Sequence, residues 1–292
     1  MSQQPVLSFY CVINPNAGAK KTNYKSEISR YFATTPHHIA FYVLEKGCSV
    51  AEIRDEIAKN KPDRVIAVGG DGTVKLVAEC LLHSPIPLAI IPAGSANGMA
   101  REFDIPNDLT MALEIAQYGA PRQIHAANIN GQLCVHLADV GMNAHIIKRF
   151  QETNIRGMAG YAKAAWRTFK SKKRIKFILY DKGMMLKRKA EMLVVANGTT
   201  YGTGVRINRD GSLFDNKIEI ILVKTISLLE LIKMRFSKRI PFNPFKTEII
   251  KTKKVEINCN RPSYFQIDGE YIGKISKLKV EIIEHAMSVI SK

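Results

Sequence analysis

The chain has 292 residues, of which 46% are hydrophobic and 24% charged, the balance of a globular protein with room for one large domain or two ordinary ones. Its formal net charge is +17, which says nothing about fold but directs the protein towards polyanions or an anionic membrane surface. No uninterrupted apolar run approaches the ~20 residues of a membrane helix, and the scattered cysteines and histidines form no CxxC or HExxH pattern, which argues against a zinc site.

In chain order, the first part alternates strand and helix. Strands are predicted over residues 7–13, 39–44, 64–68 and 87–91. Helices are predicted over 24–32, 50–59, 74 to about 82, and 109–117, the last capped by Asp108. Repeated β-α units imply a mainly parallel sheet covered by helices. The character changes near Pro121. Strands over 125–129 and 133–138 flank Asn130-Gly131, a strong two-residue hairpin signal. Further strands are read at 176–180, 192–196, 218–223, 255–258, 264–267 and 278–283, with helices around 158–169 and 227–235. The expectation is an α/β N-terminal domain over 1–122 and a β-rich, antiparallel, sandwich-like C-terminal domain over 123–292, whose last few residues can pack back on the first. The first five residues lack the features of a signal peptide. With cysteines that read as small buried residues, they suggest a reducing, cytoplasmic setting.

Three loops at the carboxyl ends of predicted parallel strands carry the chemistry, where ligands of such sheets sit. The first is Asn14-Pro15-Asn16-Ala17-Gly18. Its Asn side chains suit the sugar or phosphates of a nucleotide, although alone it reads better as an ordinary Asn/Pro turn. The second is Gly69-Gly70-Asp71-Gly72-Thr73, between the apolar run 65–68 and a helix. Free N–H groups at a helix start favour an anion, typically phosphate, and Asp71 can meet a metal ion or nucleophile. The third, Pro92-Ala93-Gly94-Ser95-Ala96-Asn97, offers donors at Gly94 and Ser95, with Asn97 holding nucleotide or loop. Each alone is a plausible βα turn; three at one sheet edge are far more specific. Neither a P-loop nor a GxGxxG fingerprint is present.

These loops resemble those of the diacylglycerol kinase catalytic-domain family, which includes bacterial soluble lipid kinases and the sphingosine and ceramide kinases. The likeness extends through Asp139-Val140-Gly141-Met142-Asn143, Asn197-Gly198 with Tyr201-Gly202-Thr203-Gly204, Asp210-Gly211-Ser212-Leu213, and Asp268-Gly269-Glu270, so it covers essentially the whole chain. The resemblance implies a lipid kinase using ATP and Mg²⁺. Gly69, Gly70, Asp71, Gly72, Thr73, Gly94 and Ser95 would hold the phosphates, with Asn14, Asn16, Gly18 and Asn97 around the nucleotide. Glu270 would be the general base on a lipid hydroxyl, assisted by Asp268, and Asp71 would support Mg²⁺ or the attacking oxygen. The rival assignment makes Asp71 the base. A structural Mg²⁺ would sit on Asp210, with backbone oxygens near Ile207 and Ser212. Ser95 stands where Thr is common and matches the sphingosine and ceramide branch. Lys75 replaces a usual Asn, and the Thr some members carry near Leu44-Glu45 is missing.

Diacylglycerol is the first-choice acceptor, with a sphingoid base or ceramide second. The amphipathic stretch 227–236, followed by Lys238-Arg239, and the basic clusters at 171–174, 187–189 and Lys251, Lys253 and Lys254 suggest peripheral docking on anionic lipid. The alternatives are a basic nucleic-acid- or membrane-binding protein without kinase activity, and an NAD kinase, which shares Gly-Gly-Asp-Gly. No nucleic-acid motif supports binding to DNA or RNA. A homodimer stays open.

Overall fold

Parallel strands with helical crossovers build the first of two compact units, which comprises the chain up to Ile124 together with His285–Lys292. The structure, a computed structural model, describes residues 5–18, 22–152, 163–168, 173–200, 206–208, 211–225 and 245–292. In chain order this unit holds β1 (Ser8–Ile13), α1 (Tyr24–Phe32), β2 (His38–Val43), α2 (Val50–Asn60), β3 (Arg64–Gly69), α3 (Asp71–Cys80), β4 (Leu88–Pro92), α4 (Gly98–Glu102) and α5 (Leu109–Tyr118). The strands run parallel in the order β4-β3-β1-β2. Val65, Ile66, Ala67 and Val68 of β3 are fully buried, as a strand flanked on both sides and covered on both faces must be. The predicted helices are found within about three residues of their expected ends, and α3 begins at Asp71, inside the stretch expected as turn. Asp108 caps α5 by accepting from the Met111 N–H, and Ser49 and Glu52 form a reciprocal capping box on α2. The short α4 is the element that the sequence pattern did not signal.

The second unit, His125–Glu284, is antiparallel. A strand that begins in the first unit, β5 (Ala120–Ile129), turns through Asn130-Gly131, both at positive φ, into β6 (Gln132–Cys134). Then come β7 (Leu137–Gly141), α6 (Met142–Gln151), β8 (Ile175–Asp181), β9 (Met184–Ala190), β10 (Met192–Ala196), β11 (Ile218–Val223), β12 (Thr247–Thr252), β13 (Lys254–Ile267) and β14 (Glu270–Ser291), whose end returns to the first unit. Neighbours run β12-β11-β10-β7-β13-β14, with β8 attached to β13 and β9 to β8. A core of apolar side chains including Phe177, Leu193, Ile220, Ile257 and Phe265 fills this unit.

Several boundaries differ from expectation. The strand expected over 133–138 is two, β6 and β7, because the N–H groups of Val135, His136 and Leu137 turn onto the Asp268 carboxylate. β9 and β12 were not expected: β9 carries Lys187-Arg188-Lys189 and, among the described residues, pairs only with β8, so one charged edge strand reads as a solvated basic run. The strands expected over 255–258 and 264–267 are a single β13 with an irregularity between Asn258 and Ser263. Helix α6 was not expected; residues 163–168 are helical, inside the expected 158–169. The expected helix over 227–235 and the basic Lys238-Arg239 lie outside the described residues.

Candidate functional site

In the first unit, the three loops are locked together by main-chain and side-chain bonds. The Asn14 N–H donates to the Val68 carbonyl (3.0 Å), and the Ala93 N–H to the Gly69 carbonyl (2.9 Å), so the loops leave adjacent strands in fixed register. Asn14 Nδ2 donates to Thr73 Oγ1 at 3.1 Å, joining the first loop to the second, and Asn14 Oδ1 accepts from the Asn16 N–H at 2.9 Å. Backbone packs against backbone elsewhere. A Cβ on Gly94 would lie 2.5 Å from the Gly70 Cα, and one on Gly18 (φ +80°) 2.7 Å from the Ala93 carbonyl oxygen. Only glycine permits such approaches.

Within this cluster the polar side chains divide into those that build the loops and those that face outward. Asn97 is buried, at φ +53°, with Oδ1 accepting from the Gly94 N–H (2.9 Å) and Nδ2 donating to the Gly94 carbonyl (2.9 Å) and Asn107 Oδ1 (3.2 Å). Its geometry is that of a loop clamp. Asp71 opens α3 and accepts from the Met99 N–H through Oδ1 at 3.1 Å, which ties the second loop to α4. Thr73 is buried, whereas Asn16, Gly18, Gly72 and Ser95 are exposed. Gly70 sits at the N-cap of α3 and no side chain caps that end. Uncapped N–H groups, exposed glycine backbone and the Ser95 hydroxyl form a surface suited to phosphate oxygens.

In the second unit, Asp268-Gly269 forms the two-residue turn between β13 and β14, both residues at positive φ, with Ile267 paired to Glu270. The Asp268 carboxylate accepts from three consecutive N–H groups, those of Val135 (2.9 Å), His136 (2.9 Å) and Leu137 (3.0 Å). Asp268 therefore pins the turn to the start of β7 and puts Glu270 at the exposed start of β14. Beneath it runs a buried chain. The Gly269 N–H donates to Gln266 Oε1 (2.8 Å), and Gln266 Nε2 to Asp139 Oδ2 (2.6 Å); Asp139 also accepts from Asn143 Nδ2 (2.6 Å) and the Ala144 N–H (2.8 Å). Asp139 is wholly buried. Sequence reasoning missed its part and that of Gln266; a carboxylate inside the apolar run of β7 was the available signal. Replacing Asp268 by Ala strands three main-chain donors, and we expect unfolding free energy to fall by about 3 kcal/mol, read by chemical denaturation.

The residues expected to hold a structural metal are only partly described: Asp210 lies outside the described residues, as do Tyr201 to Gly204. Ile207 is buried and its N–H donates to the Thr199 carbonyl. Ser212 Oγ accepts from the Phe214 N–H, and its carbonyl from Asp215. Four oxygens of the same unit are unsatisfied. Buried Asn197 Oδ1, Asn208 Oδ1, Asp215 Oδ1 and Glu219 Oε1 have no hydrogen-bond partner among the described residues. Asn208 Nδ2 donates to Glu219 Oε2 (2.9 Å), and Glu219 Oε1 meets the Lys251 ammonium only at 3.4 Å. Burial first, and then the nearby Asp215 charge, push the Glu219 carboxyl above its usual value. Orphaned carboxylate and amide oxygens are the donor set of a hard cation such as Mg²⁺. Among the described residues, no three His, Cys, Asp or Glu side chains gather as metal ligands, so the amide oxygens are needed to complete such a set.

Two family models match the chain. One, described as the diacylglycerol kinase catalytic domain, matches residues 8–129. The other, the YegS C-terminal NAD kinase beta sandwich-like domain, matches 137–291. A diacylglycerol kinase of Bacillus subtilis (strain 168) is 24% identical over 290 residues, 96% of this chain and 95% of the relative. A Chromohalobacter salexigens protein named "Probable lipid kinase YegS-like" is 25% identical over 247 residues, 80% of this chain and 78% of the relative. The crystal structure of a diacylglycerol kinase from Bacillus anthracis str. Sterne has the same fold, with a TM-score of 0.74 and 19% identity over 99% of this chain and 98% of that one.

Proposed function

Since the chain belongs to the diacylglycerol kinase and YegS-like lipid kinase family, a family of phosphotransferases for which ATP is the donor, we propose that it transfers the γ-phosphate of ATP to the hydroxyl of diacylglycerol. The observation that carries the nucleotide half of this reading is the locked cluster of three glycine loops, with Gly94 backbone against Gly70 and the Asn14–Thr73 bond across it. Phosphoryl transfer is mostly positioning and charge neutralisation, and rigid backbone donors supply both. Glu270 accepts the proton of the lipid hydroxyl, Asp268 assists by holding the turn, and Asp71 supports Mg²⁺ or the attacking oxygen. The Ser95 hydroxyl keeps a sphingoid base or ceramide as the second acceptor. Labelled ATP and Mg²⁺ offered with a panel of diacylglycerol, sphingosine, ceramide and NAD test this; a labelled phosphatidate is expected, and labelled NAD phosphate alone overturns it.

A second, structural Mg²⁺, expected on Asp210, would be held among the described residues by Asp215, Glu219 and the Asn208 amide oxygen, where it relieves buried charge. Mg²⁺ is then expected to raise the melting temperature of the wild type, by the equivalent of about 2.7 kcal/mol at a hundredfold excess over its Kd. Asp215→Asn should remove most of that gain in a thermal-shift measurement made without ATP or lipid. The sign with pH also follows. Without metal, the raised Glu219 carboxyl stabilises the fold below its ordinary value of 4.5, and that contribution is lost as pH rises through the raised one.

The acceptor resides in a membrane, and no helix among the described residues is long and apolar enough to cross one. Peripheral docking is supported by a groove of about 700 Å³ in the second unit lined by Lys182, Lys217, Lys251, Lys253 and Lys254 with Tyr180. We expect binding to vesicles containing anionic lipid, weakening several-fold between 0.05 and 0.5 M salt (order-of-magnitude limits from screening) in a sedimentation assay.

A further inference from the structure

A second cavity of the β-rich unit, about 410 Å³, has a different construction from the glycine loops. Three elements supply its cations and aromatic rings: α6 gives His145 and Arg149, β13 gives Arg261 and Tyr264, and β14 gives Lys274. Lys173 stands at its edge, and the buried Glu191 is the carboxylate in its lining.

The way the cations are held sets this cavity apart from an ordinary solvated basic patch. Arg149 Nε donates to His145 Nε2 at 3.1 Å, so the imidazole accepts there and is neutral. Burial, then the Arg149 charge, lowers the His145 pKa in agreement with that. The His145 ring in turn stacks on Tyr264, centroids 4.2 Å apart and planes within 6°. Lys274 Nζ lies 4.9 Å from the Tyr264 centroid. Arg261 Nη2 donates to the Arg174 carbonyl at 3.1 Å. Three cations are thus positioned by an imidazole nitrogen, an aromatic ring and a main-chain carbonyl, all of them uncharged. Among the described residues, no carboxylate forms an ion pair with Arg149, Lys173, Arg261 or Lys274. Lysines elsewhere in the unit do find carboxylates, as Lys253 with Glu284 and Lys254 with Glu281. Four like charges around one cavity, with one carboxylate among them, repel one another until an anion enters. Two fixed guanidinium groups favour oxyanions that accept bidentate hydrogen bonds, phosphate among them.

We propose that this cavity binds a phosphomonoester dianion, presented as a lipid headgroup or as a free phosphate ester. The site stands on the second unit alone and requires no turnover. It is tested by titration calorimetry with inorganic phosphate and with glycerol 3-phosphate, and by flotation with phosphatidylcholine vesicles with and without phosphatidate, all in the absence of ATP. Arg149→Gln with Arg261→Gln is expected to weaken binding about a hundredfold, about tenfold for each charge-assisted contact. Lys274→Gln alters one exposed side chain, so it tests the site without risk to folding, and should weaken binding about tenfold. Lys59→Gln with Lys61→Gln, at the exposed end of α2, makes the same charge change as the arginine pair and should leave phosphate affinity within about twofold. Loss in the soluble titrations identifies a free ester as a ligand, and loss confined to phosphatidate vesicles identifies a lipid headgroup; both support the site. The proposal is overturned if wild type binds none of the probes, or if the control pair weakens binding as much as the arginine pair. Because no readout is kinase activity, the outcome is independent of whether diacylglycerol is the acceptor.

Discussion

Glu270→Gln is expected to lower lipid phosphorylation by about 10²–10⁴-fold, the range for loss of a general base, while ATP affinity stays near that of the wild type. The argument rests on how the turn is held. The Asp268 carboxylate is fastened by the N–H groups of Val135, His136 and Leu137, and the Gly269 N–H by Gln266. The β13–β14 turn therefore keeps its shape whichever side chain stands at 270. The Glu270 side chain is exposed, and an isosteric amide removes the base while the anchors of the turn stay in place. Turnover and KM for lipid and ATP, measured side by side with Asp71→Asn, distinguish the two assignments. A fall in turnover with both KM values unchanged places the proton transfer on Glu270. Near-normal turnover in Glu270→Gln beside an inactive Asp71→Asn would transfer that role to Asp71.

The second large effect is expected at Gly94. An alanine there sets its Cβ 2.5 Å from the Gly70 Cα and 2.8 Å from Asn97 Oδ1. The first obstacle is main chain and cannot swing away; the second is the clamp that shapes the loop. Relief requires the second and third loops to separate by roughly an ångström, a displacement that costs on the order of 10²-fold where donors must meet phosphate oxygens. ATP affinity by calorimetry is expected to fall by about that factor, with activity falling in parallel. Gly47→Ala is the control in the same unit. Gly47 also has positive φ, +89°, but a Cβ there meets nothing within 4 Å, so only backbone strain of about 1 kcal/mol is added. Equal loss of ATP binding in both variants would mean that glycine freedom in general, and not the Gly70–Gly94 approach, matters.

What could be read from the chain followed local physics. The run Val65 to Val68 announced a buried parallel strand because it lacks polar alternation, and Asn130-Gly131 announced a hairpin because both residues tolerate positive φ. Where signals were weak or contradictory the reading failed. Charges on β9 hid an edge strand, and the break between β6 and β7 depends on Asp268, more than 130 residues later. Glu219 shows the same limit from another side. It sits in the otherwise apolar Ile218–Val223 strand and is wholly buried, an inconsistency visible in sequence, yet its companions Asn208 and Asp215 are gathered by the fold.

The sequence by itself determined the order of most elements, the two fold classes and the three glycine loops with their phosphate-friendly chemistry. Each of these depends on periodicity, turn geometry or residue type over a few neighbouring positions. Tertiary structure decided which polar groups build the site and which face a ligand. It made Asn97 a clamp, Asp268 the anchor of the Glu270 turn, and Asp139 the buried end of a hydrogen-bond chain. It also brought Arg149, Arg261 and Lys274 around one cavity, where no carboxylate among the described residues forms an ion pair with them. A carboxylate or guanidinium has the same sequence whether solvated, paired or stranded. Its role is set by the donors, acceptors and charges that folding places beside it, and those come from positions far along the chain.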